Sequence, residues 1–304
     1  MSTKINHNNK VIITEPYSKI FKKDLSSKNK FHSALKIKLS KKLQFKKFSK
    51  ELLKEKFDLI VIALSLSGID FIGKELRILK VKSPILVLTK GLKYEKKINK
   101  ILTISEQLKK NYKGMNISVL KGPCLAKELA RKVKSYTVIA NKNISIAKKI
   151  GKMISTDYYK TEYSSDVKGV EFSSAIKNIY SMIIGSGQGN NTSSALFRKS
   201  IDEMKYLIKF FRGKEETVYG LAGIGDLYVS AVGGRNSKMG EYLGKGFSFK
   251  NAKKKFMRND TIEGADLANE IAPYVLKKIN KKKIPLMIAL LNAITKNKKL
   301  KINY

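Results

Sequence analysis

This chain has one cysteine, no tryptophan, two histidines, five prolines and only 24 acidic residues among 304. Each shortage excludes something. A single thiol, Cys124, cannot build an intrachain disulfide framework and suits a reducing cytosol, so a cytoplasmic setting is expected. His7 and His32 lie far from any cysteine or acidic pair, so no metal-ligand cluster can be assembled and no metal is expected. His32 reads as a solvated surface histidine. No continuous apolar run is long enough to cross a bilayer, and the start shows no secretory apolar region. Neither a repeat nor a Gly/Ser linker divides the chain.

The scarcity of acids against 63 lysines and arginines gives a formal net charge of +39. Such a charge usually points to nucleic acid. Only six of these residues are arginine, however, and the lysines run along the whole chain, as at Lys253 to Lys255 and Lys281 to Lys283. A basic surface built to read phosphates normally clusters and interleaves aromatics or arginines. The charge therefore reads as a solvated surface. It attracts phosphorylated metabolites and, at low salt, binds nucleic acid non-specifically; no specific nucleic-acid partner is expected.

What is present is 42% hydrophobic content, enough for one large core or two adjoining ones. Apolar strand candidates recur at Val11–Ile13, Leu59–Ala63, Ile85–Leu88, Ile117–Leu120 and Thr137–Ala140. Lysine-rich amphipathic stretches such as Lys97 to Lys109 separate several of them, the alternation of a parallel sheet with covering helices. Beyond about Lys160 the period becomes helical. Ile201, Met204, Leu207, Ile208 and Phe211 share one face, Glu263 to Ala272 predicts a helix ended by Pro273, and Leu286 to Ile294 predicts a last apolar helix. Two tightly packed domains follow, 1–160 and 161–304.

The chemistry starts at Gly169 to Asn178. Phe172, Ala175, Ile176, Ile179, Met182 and Ile183 recur at three- and four-residue steps, with Lys177 at the edge of that face. A lysine so placed loses hydration, which lowers its pKa toward the range useful for general acid catalysis. Downstream, Gly220-Leu-Ala-Gly-Ile-Gly-Asp226 permits close backbone approach to a ligand. Asp226 offers an acceptor for an ammonium, and Arg235-Asn236 suits phosphate.

In this order, together with Thr89-Lys90-Gly91-Leu92, Gly122-Pro123-Cys124-Leu125-Ala126-Lys127-Glu128 and Glu263-Gly264, these segments resemble the bacterial-type NAD(P)-dependent glycerol-3-phosphate dehydrogenases from about residue 11 to 290. The resemblance implies an α/β fold, a Rossmann-like parallel sheet domain incomplete at its amino end, followed by an all-helical domain. It implies interconversion of dihydroxyacetone phosphate and sn-glycerol 3-phosphate with NADH or NADPH, for glycerophospholipid synthesis. By position, Lys177 resembles the catalytic lysine, and Lys90 a lysine near both substrate and nicotinamide. With Asp226 they form the expected catalytic set. Lys90, Gly122, Cys124, Lys177, Asp226, Gly234, Arg235 and Asn236 match substrate-contacting positions. Lys90, Ala126, Arg235, Thr261 and Glu263 match cofactor-contacting ones. Expected partners are a phosphorylated small molecule and, as an option, a second copy in a homodimer.

Departures from the family pattern are as informative. The polar, glycine-free Met1 to Lys10 occupies the place of a strand and a Gly-rich turn that would cradle the pyrophosphate. Without that central strand, rows of backbone donors and acceptors lose their partners. Our expectation is that Met1 is an artificial start, with the real one about thirty residues upstream, roughly one βαβ unit away. The rival reading is a non-catalytic or degenerate paralogue that binds phosphorylated ligands after losing the cofactor loop. Cys124 stands where a hydroxyl residue is usual, Gly234 where a serine is, and Glu15 lies where an acid would favour NADH by repelling a 2′-phosphate.

Overall fold

The computed structural model describes residues 9–14, 23, 24, 26, 27, 29–111 and 114–303. His7 and Glu15 lie outside the described residues. Eleven strands occur among the described residues: β1 Val11–Ile13, β2 Phe31–His32, β3 Ile37–Lys38, β4 Leu43–Phe45, β5 Ile60–Ile62, β6 Ile85–Val87, β7 Leu92–Glu95, β8 Lys100–Thr103, β9 Ile117–Lys121, β10 Ser135–Ala140 and β11 Tyr159–Ser164. Five form the main sheet, in the order β11-β10-β9-β6-β5. Strands β5, β6 and β9 are mutually parallel, the Rossmann-like half of the sheet. β10 runs antiparallel to β9 and parallel to β11. The parallel expectation thus holds for one side and is corrected on the other. The link from Gly122 to Lys134 carries only the five-residue helix Ala126–Ala130, not the full covering helix that usually accompanies a parallel crossover.

Val11–Ile13 is a strand, as its β-branched run predicts, but it pairs with Leu43–Phe45 in a separate two-stranded sheet. Among the described residues, β5 has β6 as its one partner and forms an edge of the main sheet. The central strands read as unbroken apolar runs because both of their faces are covered. On one side Ile69, Ile72 and Leu76 of helix Leu66–Ile78 and Ile104 and Leu108 of helix Ile104–Asn111 pack on Ile85, Val87, Ile117 and Val119. On the other, Ala147, Ile150 and Ile154 of helix Ile144–Ile154 pack on Leu86, Leu120 and Ile139.

Asp166 opens the helical part by capping helix Val167–Gly185, its Oδ1 accepting from Gly169 N at 2.9 Å. The same carboxylate accepts from Lys214 N and Thr217 Oγ1, at 2.8 and 2.6 Å, fastening the helix start to the turn after helix Asn190–Phe210. Every residue from Gly169 to Ile184 is buried, because helices surround Val167–Gly185. An all-round buried helix is rare in a small domain, and here it sets the solvation of Lys177. Helix Glu263–Lys278 continues through Pro273, where the sequence predicts an end. Pro273 and Asn269, whose carbonyl it deprives of a donor, both face solvent, so water can serve that carbonyl.

Candidate functional site

Three side chains from three elements meet where the carboxyl ends of the strands face the helical part. Lys90 follows β6, Lys177 comes from helix Val167–Gly185, and Asp226 opens helix Asp226–Gly233. Lys90 Nζ lies 2.6 Å from Asp226 Oδ2, and Lys177 Nζ lies 3.0 Å from Oδ1, so one carboxylate holds two ammonium groups. Lys177 also donates to Ser230 Oγ, and Lys90 approaches the carbonyl of Gly122 at 3.4 Å. The side chains of Lys177 and Asp226 are 7% and 5% exposed and that of Lys90 is 29%, so the cluster opens to solvent on the Lys90 side. Burial pushes the Lys177 ammonium below the usual lysine range, and the neighbouring Lys90 charge pushes it the same way, while Asp226 opposes both.

Local folding explains the convergence. Gly91 and Gly122 adopt φ of +142° and +119°, a backbone region where other residues are strained. A Cβ on Gly91 would sit 2.6 Å from Leu66, so a glycine lets the chain turn directly after Lys90. Gly220 to Gly225 form a π-turn in which a Cβ on Gly223 would lie 2.1 Å from the Val218 carbonyl. That compact turn delivers Asp226 to the lysines.

A second cluster adjoins the first through Asn178, whose Nδ2 donates to Glu263 Oε2 at 3.1 Å. Arg235 Nε donates to the Thr261 carbonyl at 3.0 Å, and its guanidinium lies 3.7 Å from Glu263. Asn236 is buried, with Oδ1 accepting from Gly264 N at 2.9 Å. Arg235, Asn236, Thr261 and Glu263 therefore form one connected group, with Arg235 half exposed beside it. Gly234 joins helices Asp226–Gly233 and Arg235–Gly244; a Cβ there would come within 2.8 Å of the Ser230 carbonyl, so serine would need room made for it. Cys124 and Ala126 are exposed on the segment after Gly122. Chain length keeps Cys124 within about 7 Å of Gly122.

Residues that sequence reasoning passed over are Ser230, Lys121 and Glu171. Ser230 is four residues after Asp226 on one helix, a spacing that puts both on the same face. Lys121 and Glu171 sit within apolar stretches that carry no sign of their partners. His32 is partly buried and its Nδ1 accepts from Leu35 N at 3.3 Å, which corrects the solvated reading. Among the described residues, no group of three or more His, Cys, Asp or Glu side chains is placed to hold a metal. None of their helices is long and apolar enough to cross a membrane.

Comparison with known proteins gives the family. Residues 3–147 match the pattern of the "NAD-dependent glycerol-3-phosphate dehydrogenase N-terminus" and residues 166–302 that of the "NAD-dependent glycerol-3-phosphate dehydrogenase C-terminus". The chain is 33% identical over 196 residues to the NADP(+)-dependent glycerol-3-phosphate dehydrogenase of Archaeoglobus fulgidus, covering 60% of this chain and 58% of that protein. It is 34% identical over 203 residues to the glycerol-3-phosphate dehydrogenase [NAD(P)+] of Thermotoga sp. (strain RQ2), covering 64% and 59%. The matches thus span about three fifths of these relatives' lengths. The glycerol-3-phosphate dehydrogenase structure from Coxiella burnetii superposes with a TM-score of 0.79 at 23% identity, over 95% of this chain and 88% of that one, which shows a shared fold. With both halves of one family pattern matched in order along nearly its whole length, the chain belongs to the NAD-dependent glycerol-3-phosphate dehydrogenase family.

Proposed function

We propose that this protein interconverts dihydroxyacetone phosphate and sn-glycerol 3-phosphate with NADH or NADPH. The observation that carries the reading is the pair of lysines, one buried and one solvent-facing, held on the two oxygens of Asp226. The reading includes catalysis by Lys177, Lys90 and Asp226, two working units over residues 1–160 and 161–304, supply of glycerophospholipid synthesis, a cytoplasmic setting and the homodimer option.

The residues at the nicotinamide end fit a cofactor. Lys90 is partly open to solvent at the strand ends, and Arg235, Thr261 and Glu263 form a polar group that Asn178, the neighbour of Lys177, joins. The pyrophosphate end differs, since no Gly-rich turn follows a strand before Gly68 among the described residues. A nicotinamide held in the site would supply the hydride. Lys177 and Lys90 oppose the negative charge that grows on the substrate's central oxygen, and Lys177 passes a proton to it. Asp226 keeps both ammoniums aimed at one point without reorganisation, and Ser230 keeps Lys177 from swinging away. A donor so placed contributes about 3 to 4 kcal/mol to the transition state. Arg235 and the amide of Asn236 provide the phosphate pocket. No other carboxylate among the described residues holds two ammonium groups, one of them buried.

Calorimetric titration of the purified chain with dihydroxyacetone phosphate tests the reading. Binding is expected, weakened about tenfold or more in Arg235→Leu, the loss of one charge-assisted phosphate contact. Wild-type protein that ignores dihydroxyacetone phosphate while binding unrelated phosphorylated compounds would favour the degenerate paralogue.

A further inference from the structure

Lys121 is the last residue of β9, next to Gly122, and is 2% exposed. A lysine buried so fully is rare unless it is paired. Its Nζ donates to the Thr89 carbonyl at 2.5 Å, while its own carbonyl accepts from Thr137 Oγ1 at 2.6 Å. Thr89 is itself pinned, its Oγ1 donating to the Leu64 carbonyl at 2.8 Å. Lys121 therefore ties the end of β9 to the segment that immediately precedes Lys90.

Its charged neighbours are Glu171 on helix Val167–Gly185, Lys90 after β6 and Asp226. Glu171 is fixed by Ser105, whose N donates to Oε1 at 3.0 Å and whose Oγ donates to Oε2. The connected set thus comprises the partly exposed Lys90 and the buried Lys121 and Lys177 against the buried Asp226 and Glu171. Fully ionised, these three cations and two anions leave one net positive charge beside the opening at Lys90, and Glu263, which also acts on Lys177, is offset by Arg235. With Lys121 neutral the set balances to zero.

We propose that Lys121 is a positioning residue of the site: its bond to the Thr89 carbonyl holds Lys90 on Asp226, and its charge supplies the surplus that draws an anionic substrate. The second half rests on the proposed function; the first does not. Burial lowers the Lys121 pKa from the ordinary lysine value to about 8, with Lys90 acting in the same direction and Glu171 and Asp226 against it. The surplus is then largely present at pH 7, half lost near pH 8 and mostly gone by pH 9.

Two measurements on the full chain decide this. The first is amide hydrogen exchange of the peptide spanning Thr89 to Leu92. In Lys121→Met, a volume-conserving change that keeps the interior packed, exchange there is expected to speed up about tenfold or more while the Lys177 helix keeps its protection. Unchanged exchange at Thr89 to Leu92 would overturn the positioning role, whatever the enzyme does. The second is the affinity for dihydroxyacetone phosphate between pH 7 and 9. Wild type is expected to weaken about tenfold across that range, the effect of losing one nearby charge. Lys121→Arg, which stays charged, is expected to lose clearly less affinity by pH 9 than wild type, its remaining decline being that of Lys177, and Lys121→Met to bind weakly throughout. A parallel decline in wild type and Lys121→Arg would overturn the charge role. Failure of every form to bind would refute the proposed function and the charge role that rests on it, leaving exchange to decide the positioning role.

Discussion

Asp226→Asn removes the one carboxylate that two ammonium groups share, leaving them facing each other in a largely closed site. With separations of 3.0 Å to Lys177 and 2.6 Å to Lys90, each contact would exceed about 5 kcal/mol at an effective dielectric of 20. Desolvation of the charges offsets much of that, and the partly exposed Lys90 is screened. Removing one partner of a buried pair costs about 3 to 5 kcal/mol, which is the loss expected in urea unfolding at pH 7. The pH dependence follows from Lys177. Its folded pKa already lies below the unfolded one, through burial and Lys90, and without Asp226 it falls further. A lysine depressed in the folded state destabilises at low pH and ceases to do so as pH rises toward its unfolded pKa. The deficit of Asp226→Asn should therefore shrink between pH 7 and pH 10. A deficit under about 1 kcal/mol at pH 7, the range of an exposed pair, would refute the geometry, as would a deficit that grows with pH.

Two further outcomes are expected. Glu203 is held at about 7 by burial, although Leu286 N, Met287 N and the Tyr180 hydroxyl all donate to it at the start of helix Pro285–Thr295. A carboxyl raised in the folded state favours folding fully below its unfolded pKa and loses that contribution as pH rises through 7, so wild type should lose up to about 3 kcal/mol between pH 4.5 and 7 that Glu203→Gln does not; parallel stability profiles of the two proteins would contradict this. Asp166→Ala removes a helix cap and leaves Lys214 N without its acceptor, so chemical denaturation should show a loss of about 2 to 3 kcal/mol, and a change under about 0.5 kcal/mol would show that water replaces the carboxylate.

Much of this architecture could be read from residue patterns because the patterns report burial. The runs at Leu59 to Ala63 and Ile85 to Leu88 are apolar on both faces, and helices cover both faces of their sheet. Tyr159 to Ser164 was harder to see: Tyr-Lys-Thr-Glu-Tyr-Ser alternates by twos as an edge strand does, yet its polar composition resembles the loops around it. Reversal of β10 was invisible, since strand direction depends on what the linking segment can span. Pro273 misled because a proline on a solvent-facing helix surface costs less than one whose freed carbonyl is buried. At the site, Lys177 and Asp226 stood out as polar groups inside apolar or glycine-rich contexts. Lys121 did not, because one more lysine among so many carries no signal until its burial is known. The link of Arg235 and Asn236 to Thr261, Glu263 and Gly264 is likewise a tertiary fact, joining segments about 28 residues apart.

Dihydroxyacetone-phosphate-dependent oxidation of NADH and NADPH, measured with the purified chain and with Lys177→Ala, tests the central claim most directly. The lysine pair on Asp226 predicts turnover in wild type that falls by about a hundredfold or more in Lys177→Ala, as expected for loss of a proton donor and charge stabiliser. Turnover that survives the substitution undiminished, in a variant shown to be folded, would contradict the role given to Lys177 and with it the reading of the site.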